Sequence, residues 1–172
     1  AEAAVIHQAY LGERHPTTLR SLNAYASLLV YRGNPADAIP IYRKVLDARF
    51  SLFGSSDKRV VRSRAGLAWA LTEAGLPRLA QPLWSSVLAW HAEHHGPAHP
   101  DTISLRNSLA DCLSDLGRFD EAVRLLEENL AYVAATDQLR SETAMDTHCT
   151  LGEVYLELGR LNEAEEQFCI LM

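Results

Sequence analysis

Gly33, Gly75, Gly117 and Gly159 recur at a spacing of 42 residues. Ala38, Ala80, Ala122 and Ala164 follow these glycines by five residues, and Ala26, Ala68, Ala110 and Gly152 precede them by seven. Side chains this small, at three fixed phases, imply a repeated unit in which two backbone segments cross closely around a tight turn. A period of this length marks a solenoid or a propeller and has to be resolved before any domain is counted. In such arrays each unit touches only its neighbours, so stability accumulates by stacking.

The apolar pattern within a unit selects helices. Ala38, Ile41, Tyr42, Val45 and Leu46 form one series, matched by Ala80, Leu83, Trp84, Val87 and Leu88, and by Ala122, Leu125, Leu126 and Leu130. Offsets of three, four, seven and eight trace one face of an α-helix. Before each turn, Leu22, Tyr25, Ala26 and Leu29, and likewise Leu105, Leu109, Ala110 and Leu113, do the same. Nothing alternates with period two, which excludes a β-propeller. The expected class is all-α, with two helices per unit.

The punctuation agrees. Gly33-Asn34-Pro35 offers a glycine helix stop, an Asn cap and a proline at the first helical position. Gly12, Gly54 and Gly96 end the second helices. His15-Pro16 and His99-Pro100-Asp101-Thr102 open first helices, with Asp101 or Thr102 as the expected cap. Repeat two has Asp57-Lys58 there, and repeat four has neither the glycine nor the proline. Pro40 and Pro82 fall inside second helices at one phase, where each removes a backbone bond and bends the helix. The units are one array over 1–172: the end of a preceding second helix at 1–12, then repeats at 13–54, 55–96 and 97–138, and an incomplete fourth at 139–172. The final Phe168-Cys169-Ile170-Leu171-Met172 leaves an apolar helix face showing, so a piece of a longer array is expected.

Composition bounds the function. Apolar residues make up 48% of the chain, enough for a continuous core, and no run approaches the roughly 18 needed for a membrane span. Residues 1–10 lack the basic leader and apolar block of a signal peptide. The three cysteines, Cys112, Cys149 and Cys169, have no metal-binding spacing, and their odd number fits a reducing, cytoplasmic setting. Charge is unevenly divided: residues 1–86 carry a net +5 and residues 87–172 a net −11. The acidic half argues against a nucleic-acid backbone along the surface.

Leu151-Gly152-x-x-Tyr155, the turn at Gly159 and Ala164-x-x-x-Phe168 resemble the tetratricopeptide signature, with His148 in place of the leading Trp. The 42-residue unit, the His-Pro-Asp-Thr stretch and Ala-x-Pro-Leu-Trp resemble the kinesin light chain type, which also occurs in bacterial regulators behind nucleotide-binding switch domains. The resemblance covers essentially the whole chain. It implies a right-handed superhelical solenoid of antiparallel helix pairs, whose first helices line a concave groove that holds a protein or peptide.

Carried onto this sequence, the groove phases give Arg20, Asn23, Ser27, Arg62, Trp69, Asn107, Asp111, Ser114, Asp146 and Glu153 as candidate peptide-binding residues. In the kinesin light chain type, the phase of Asn23 and Asn107 carries an amide that can clamp a ligand's backbone, since an amide both donates and accepts. Arg20 and Arg62 make one end of the groove basic, and Asp111, Asp115, Asp146, Glu153 and Glu157 make the other acidic. A partner with matching polarity is expected, its basic part against repeats three and four. The function expected is that of a non-catalytic scaffold, the sensor or interaction module of a larger bacterial regulatory protein. The alternatives are head-to-tail self-assembly and a cargo-adaptor domain. Trp69 serves as a groove anchor or packs between first helices, Trp84 is core, and Trp90 seals its helix end. His91 and His95 share a helix face near His94 and His99, but there is no HExxH pattern. The cluster reads as a His-rich loop and no metal is assigned. With no phosphate loop, nucleophile elbow or carboxylate pair in a defined cleft, no catalytic residue and no cofactor are assigned.

Overall fold

The structure, a computed structural model, describes residues 2–135 and 141–170. They form α1 (Glu2–Leu11), α2 (Pro16–Tyr31), α3 (Pro35–Phe53), α4 (Lys58–Glu73), α5 (Pro77–His95), α6 (Pro100–Asp115), α7 (Phe119–Ala135), α8 (Glu142–Glu157) and α9 (Leu161–Cys169). No strand occurs among the described residues. None of these helices is long and apolar enough to cross a membrane. The chain forms two compact units, 1–83 and 84–172, divided within α5. The expected boundary between repeats three and four, and Leu171-Met172, lie outside the described residues.

In the first unit α2 packs on α1, α3 and α4, and α3 packs on α4. In the second, α6 packs on α7 and α8, α7 on α8, and α8 on α9. Each unit therefore nests antiparallel hairpins with their first helices side by side. Gly33 turns the first hairpin at φ +77°, a left-handed conformation that side chains resist. The next residue then donates its N–H five residues back, Asn34 to the Leu29 carbonyl at 2.9 Å. Leu76, Arg118 and Arg160 repeat that bond onto Leu71, Leu113 and Tyr155.

This closure explains why Asn34 does not cap by its side chain. It occupies the N-cap position of α3, yet its N–H is held by α2 and its φ, ψ of −114°, 56° are not those of a capping residue. The cap of α6 also differs from expectation. His99, not Asp101 or Thr102, takes that place, its Nδ1 accepting from the Asp101 N–H at 3.2 Å. The following Pro100 confines His99 to extended backbone, the conformation a cap needs. Thr102 instead donates to the Gly96 carbonyl at 2.9 Å. His15, Asp57 and Ser141 cap α2, α4 and α8.

The small residues sit where the periodicity placed them. Ala26, Ala68, Ala110, Ala38, Ala80 and Ala122 are wholly buried. Leu19, Val45 and Ala48, with Leu22 and Ile41, fill the core of the first unit. In the second, Ile103, Val133 and Ala144 pack together. Trp84 is buried, as its phase predicted. Pro40 and Pro82 lie inside α3 and α5.

Each unit also buries a polar joint. In the first, Arg49 Nη1 donates to Ser63 Oγ (2.7 Å), the Arg59 carbonyl (3.0 Å) and Asn23 Oδ1 (3.3 Å). In the second, Asn129 donates to the Ile103 carbonyl (3.0 Å) and Asn107 Oδ1 (2.7 Å) and accepts from Arg106. Thr147 Oγ1 also donates to Asn107 Oδ1, at 3.1 Å.

A Cβ on Gly66 would lie 2.4 Å from the Tyr42 ring, which is buried and tied to Ser27 Oγ through its hydroxyl at 2.7 Å. Gly66→Ala is therefore expected to destabilise by about 1–3 kcal/mol despite the better helix propensity of alanine. At Gly152 the obstructing ring is Phe168, which is only half-buried, so Gly152→Ala should lose less. Urea unfolding of both variants measures the order.

Candidate protein-interaction faces

α6 and α8 present their first-helix faces to a cleft of about 580 Å³ in the second unit. Asp111 and Asp115 of α6 and Glu153 and Glu157 of α8 line it. Asp111 and Glu153 share one repeat phase, and Asp115 and Glu157 share another, so the repeat itself converges the four carboxylates. Ser114 and Thr150 add hydroxyls, while Phe119 and Leu156 supply apolar surface. Asp111 reaches water through the mouth of the cleft. The protein crowded around it, then Glu153 and Asp115, push its pKa up to about 6. A carboxyl perturbed in a cleft by burial and like charge is a mark of a functional surface.

In the first unit the same two phases hold Ser27 and Tyr31 on α2 and Trp69 and Glu73 on α4. Trp69 packs edge-on against Tyr31, ring centroids 4.7 Å apart, so it joins neighbouring first helices. Tyr31 is 80% exposed and leaves that aromatic pair open to solvent. Ser27 bonds the Tyr42 hydroxyl and the Asn23 carbonyl. Arg20 and Arg62 line a separate pocket of about 260 Å³ with Arg49 and Arg59.

Thus Asp111, Ser114 and Glu153 come together, and so do Arg20 and Arg62. Asp146 is exposed on α8 but is not part of the cleft wall. Asn23 and Asn107 have their side-chain carbonyls committed to internal donors, and Asn107 is buried. A backbone clamp would have only their NH2 groups to use. Phe119 and Thr150 lie outside the phases read from sequence. Arg49 was missed because it sits on a second helix, but it did leave a signal: a cation at the phase where repeat three has the buried Val133.

His91 also occupies that phase. Its ring lies 5.3 Å from His95, which lies 5.0 Å from His99, while Trp90 stacks on His94 at 4.1 Å. Burial, then the His95 imidazole, lowers the His91 pKa. No group of three His, Cys, Asp or Glu side chains among the described residues could hold a metal ion.

Because folding raises the Asp111 pKa from 3.8 to about 6, the unfolded chain ionises first as pH rises. Asp111 therefore lowers stability progressively between about pH 4 and pH 6, and that penalty persists above pH 6. Asp111→Asn should raise the melting temperature at pH 7.5, by a margin that shrinks toward pH 4.5. Thermal melts at the two pH values measure it.

Tetratricopeptide repeat models match residues 18–57, 63–134 and 146–169. No curated protein matches the chain. Among solved structures, nearly identical TPR-like repeats of a Podosopora anserina protein described as a kinesin light chain superpose with a TM-score of 0.84 at 26% identity, covering 97% of this chain and 79% of that one. A point variant of those repeats gives 0.86 at 25% identity, covering 96% and 78%. BtubC (BKLC) from P. vanneervenii gives 0.74 at 18% identity over 88% of this chain and 60% of its own, a likeness of fold alone. The matches indicate no family of enzymes. The chain is built of tetratricopeptide repeats in an all-α solenoid that resembles the kinesin light chain type.

Proposed function

We propose that this protein is a non-catalytic interaction module that holds a partner polypeptide against its first-helix faces, a basic stretch of that partner lying in the acidic cleft of α6 and α8. Tetratricopeptide repeats in general mediate protein–protein interaction or scaffolding. The observation that carries the finer reading is the convergence of Asp111, Asp115, Glu153 and Glu157 on one cleft beside Phe119 and Leu156. Asp111, whose pKa is raised by burial and by the neighbouring Glu153 and Asp115, gains from a cation that relieves this repulsion. The apolar surface suits the aliphatic stems of Lys and Arg. The setting that fits is the sensing or scaffolding part of a larger cytoplasmic regulatory protein.

A second reading, self-assembly, is favoured by the net +5 of residues 1–86 against the net −11 of residues 87–172. The basic face of one copy would then occupy the acidic cleft of another.

Calorimetric titration with a short Lys/Arg-rich peptide, and with an acidic peptide of equal length, tests the proposal. The basic peptide should bind selectively, and more weakly as salt rises. Asp111→Lys with Glu153→Lys should weaken it by about tenfold or more. Equal binding of both peptides, or indifference to the double reversal, discards the cleft as the site. Sedimentation across protein and salt concentrations separates self-assembly, which grows with protein and shrinks with salt.

A further inference from the structure

The pocket of the first unit has the opposite character. Four arginines, Arg20, Arg49, Arg59 and Arg62, stand around about 260 Å³, and no carboxylate lines it. Arg59 is already matched: its Nε and Nη2 donate to the two Asp57 oxygens at 2.8 Å, and its guanidinium lies over Phe53. Arg20, Arg49 and Arg62 form no ion pair among the described residues.

Arg49 is the informative member. It is only 7% exposed, and all three of its hydrogen bonds leave from Nη1 to neutral oxygens. Buried charges are ordinarily paired, because removing an ion from water without a counter-charge is costly. Burial, Arg62 and Arg59 all bear against its charge, with Asp57 opposing them. The N-terminal end of α2 adds to the excess: Pro16 and Thr17 form part of the wall, and α2 is capped by His15 with no acidic residue in its first turn.

We infer that this pocket binds a phosphate dianion, either as a phosphorylated side chain of a partner segment or as free phosphate. Three guanidiniums without a direct ion pair among the described residues offer more donors than the two oxygens of a carboxylate take up, and they match a tetrahedral dianion. The volume accepts an oxyanion and the stub that carries it. Arg20 and Arg62 stand 42 residues apart at one repeat phase, both exposed, so the ligand enters from solvent while Arg49 waits at the base. The site lies in the first unit and does not depend on the acidic cleft.

The test uses the 172-residue chain, Arg20→Gln/Arg62→Gln, and an Arg14→Gln/Arg32→Gln control of equal charge change at exposed positions outside the pocket. Circular dichroism checks that all three fold. Inorganic phosphate at pH 7.5 should raise the melting temperature of the parent and the control above that in chloride of equal ionic strength. The pocket variant should lose that gain. Fluorescence anisotropy with a phosphoserine peptide and its unphosphorylated twin then separates the sources. Tighter binding of the phosphopeptide, by about tenfold and strengthening from pH 5 to 7.5 as the phosphate takes its second charge, shows a partner-borne group. Stabilisation by inorganic phosphate with no preference between the peptides shows the free ion. No advantage of phosphate over chloride, an equal response in the pocket variant, or tight and equal binding of both peptides to the arginines overturns the inference.

Discussion

Every hairpin depends on a residue that belongs to two helices at once. The residue after the turn glycine donates its N–H five positions back, to the Leu29, Leu71, Leu113 and Tyr155 carbonyls, at 2.8–2.9 Å. The carbonyls of Leu76, Arg118 and Arg160 then accept the first bonds of the following helices. With the chain direction fixed on both sides of so short a turn, the approach of the two helices has little freedom. Only small residues fit where they come closest, which is why the alanines on either side are buried to the last. The angle between helices in turn decides which face of each first helix is left for a partner.

Those faces carry chemistry that the fold does not need. Its polar requirements are met inside, where Asn23 accepts from the Arg49 guanidinium and the Ser63 hydroxyl, and Asn107 from the Asn129 amide and the Thr147 hydroxyl. Outside, the same scaffold holds four carboxylates in one unit and, in the other, the exposed Arg20 and Arg62, without ion pairs, over the buried Arg49. Such clusters add repulsion to the folded state. Local conflict of this kind, in a chain otherwise consistent at every level, is where function is to be sought. The aromatic pair of Tyr31 and Trp69 sits between these extremes: it ties α2 to α4 and still offers an exposed ring.

Much of this was legible in the chain itself. A period of 42 residues, a glycine at each turn and apolar offsets of three and four placed the helices, because those signals act over a few neighbouring residues and repeat. The same periodicity placed Asp111 with Glu153 and Arg20 with Arg62, since equal phases on neighbouring first helices lie side by side. Asp146, at the phase of Arg20 and Arg62, is exposed on α8 and stands outside the wall of the acidic cleft. The sequence pattern expected Asp101 or Thr102 to cap α6, where the extended backbone imposed by Pro100 gave that place to His99.

The order of the helices, their amphipathic faces and their turns were thus set by local sequence, through backbone conformation and the helical period. Which charges lose water and which find partners was decided by tertiary structure alone. Arg49 meets Asn23 and Ser63 only when residues 26 and 14 positions away are folded against it, and its missing counter-ion becomes evident only then. Electrostatic energy depends on distances of a few ångströms between groups remote in sequence, and no single repeat contains that information.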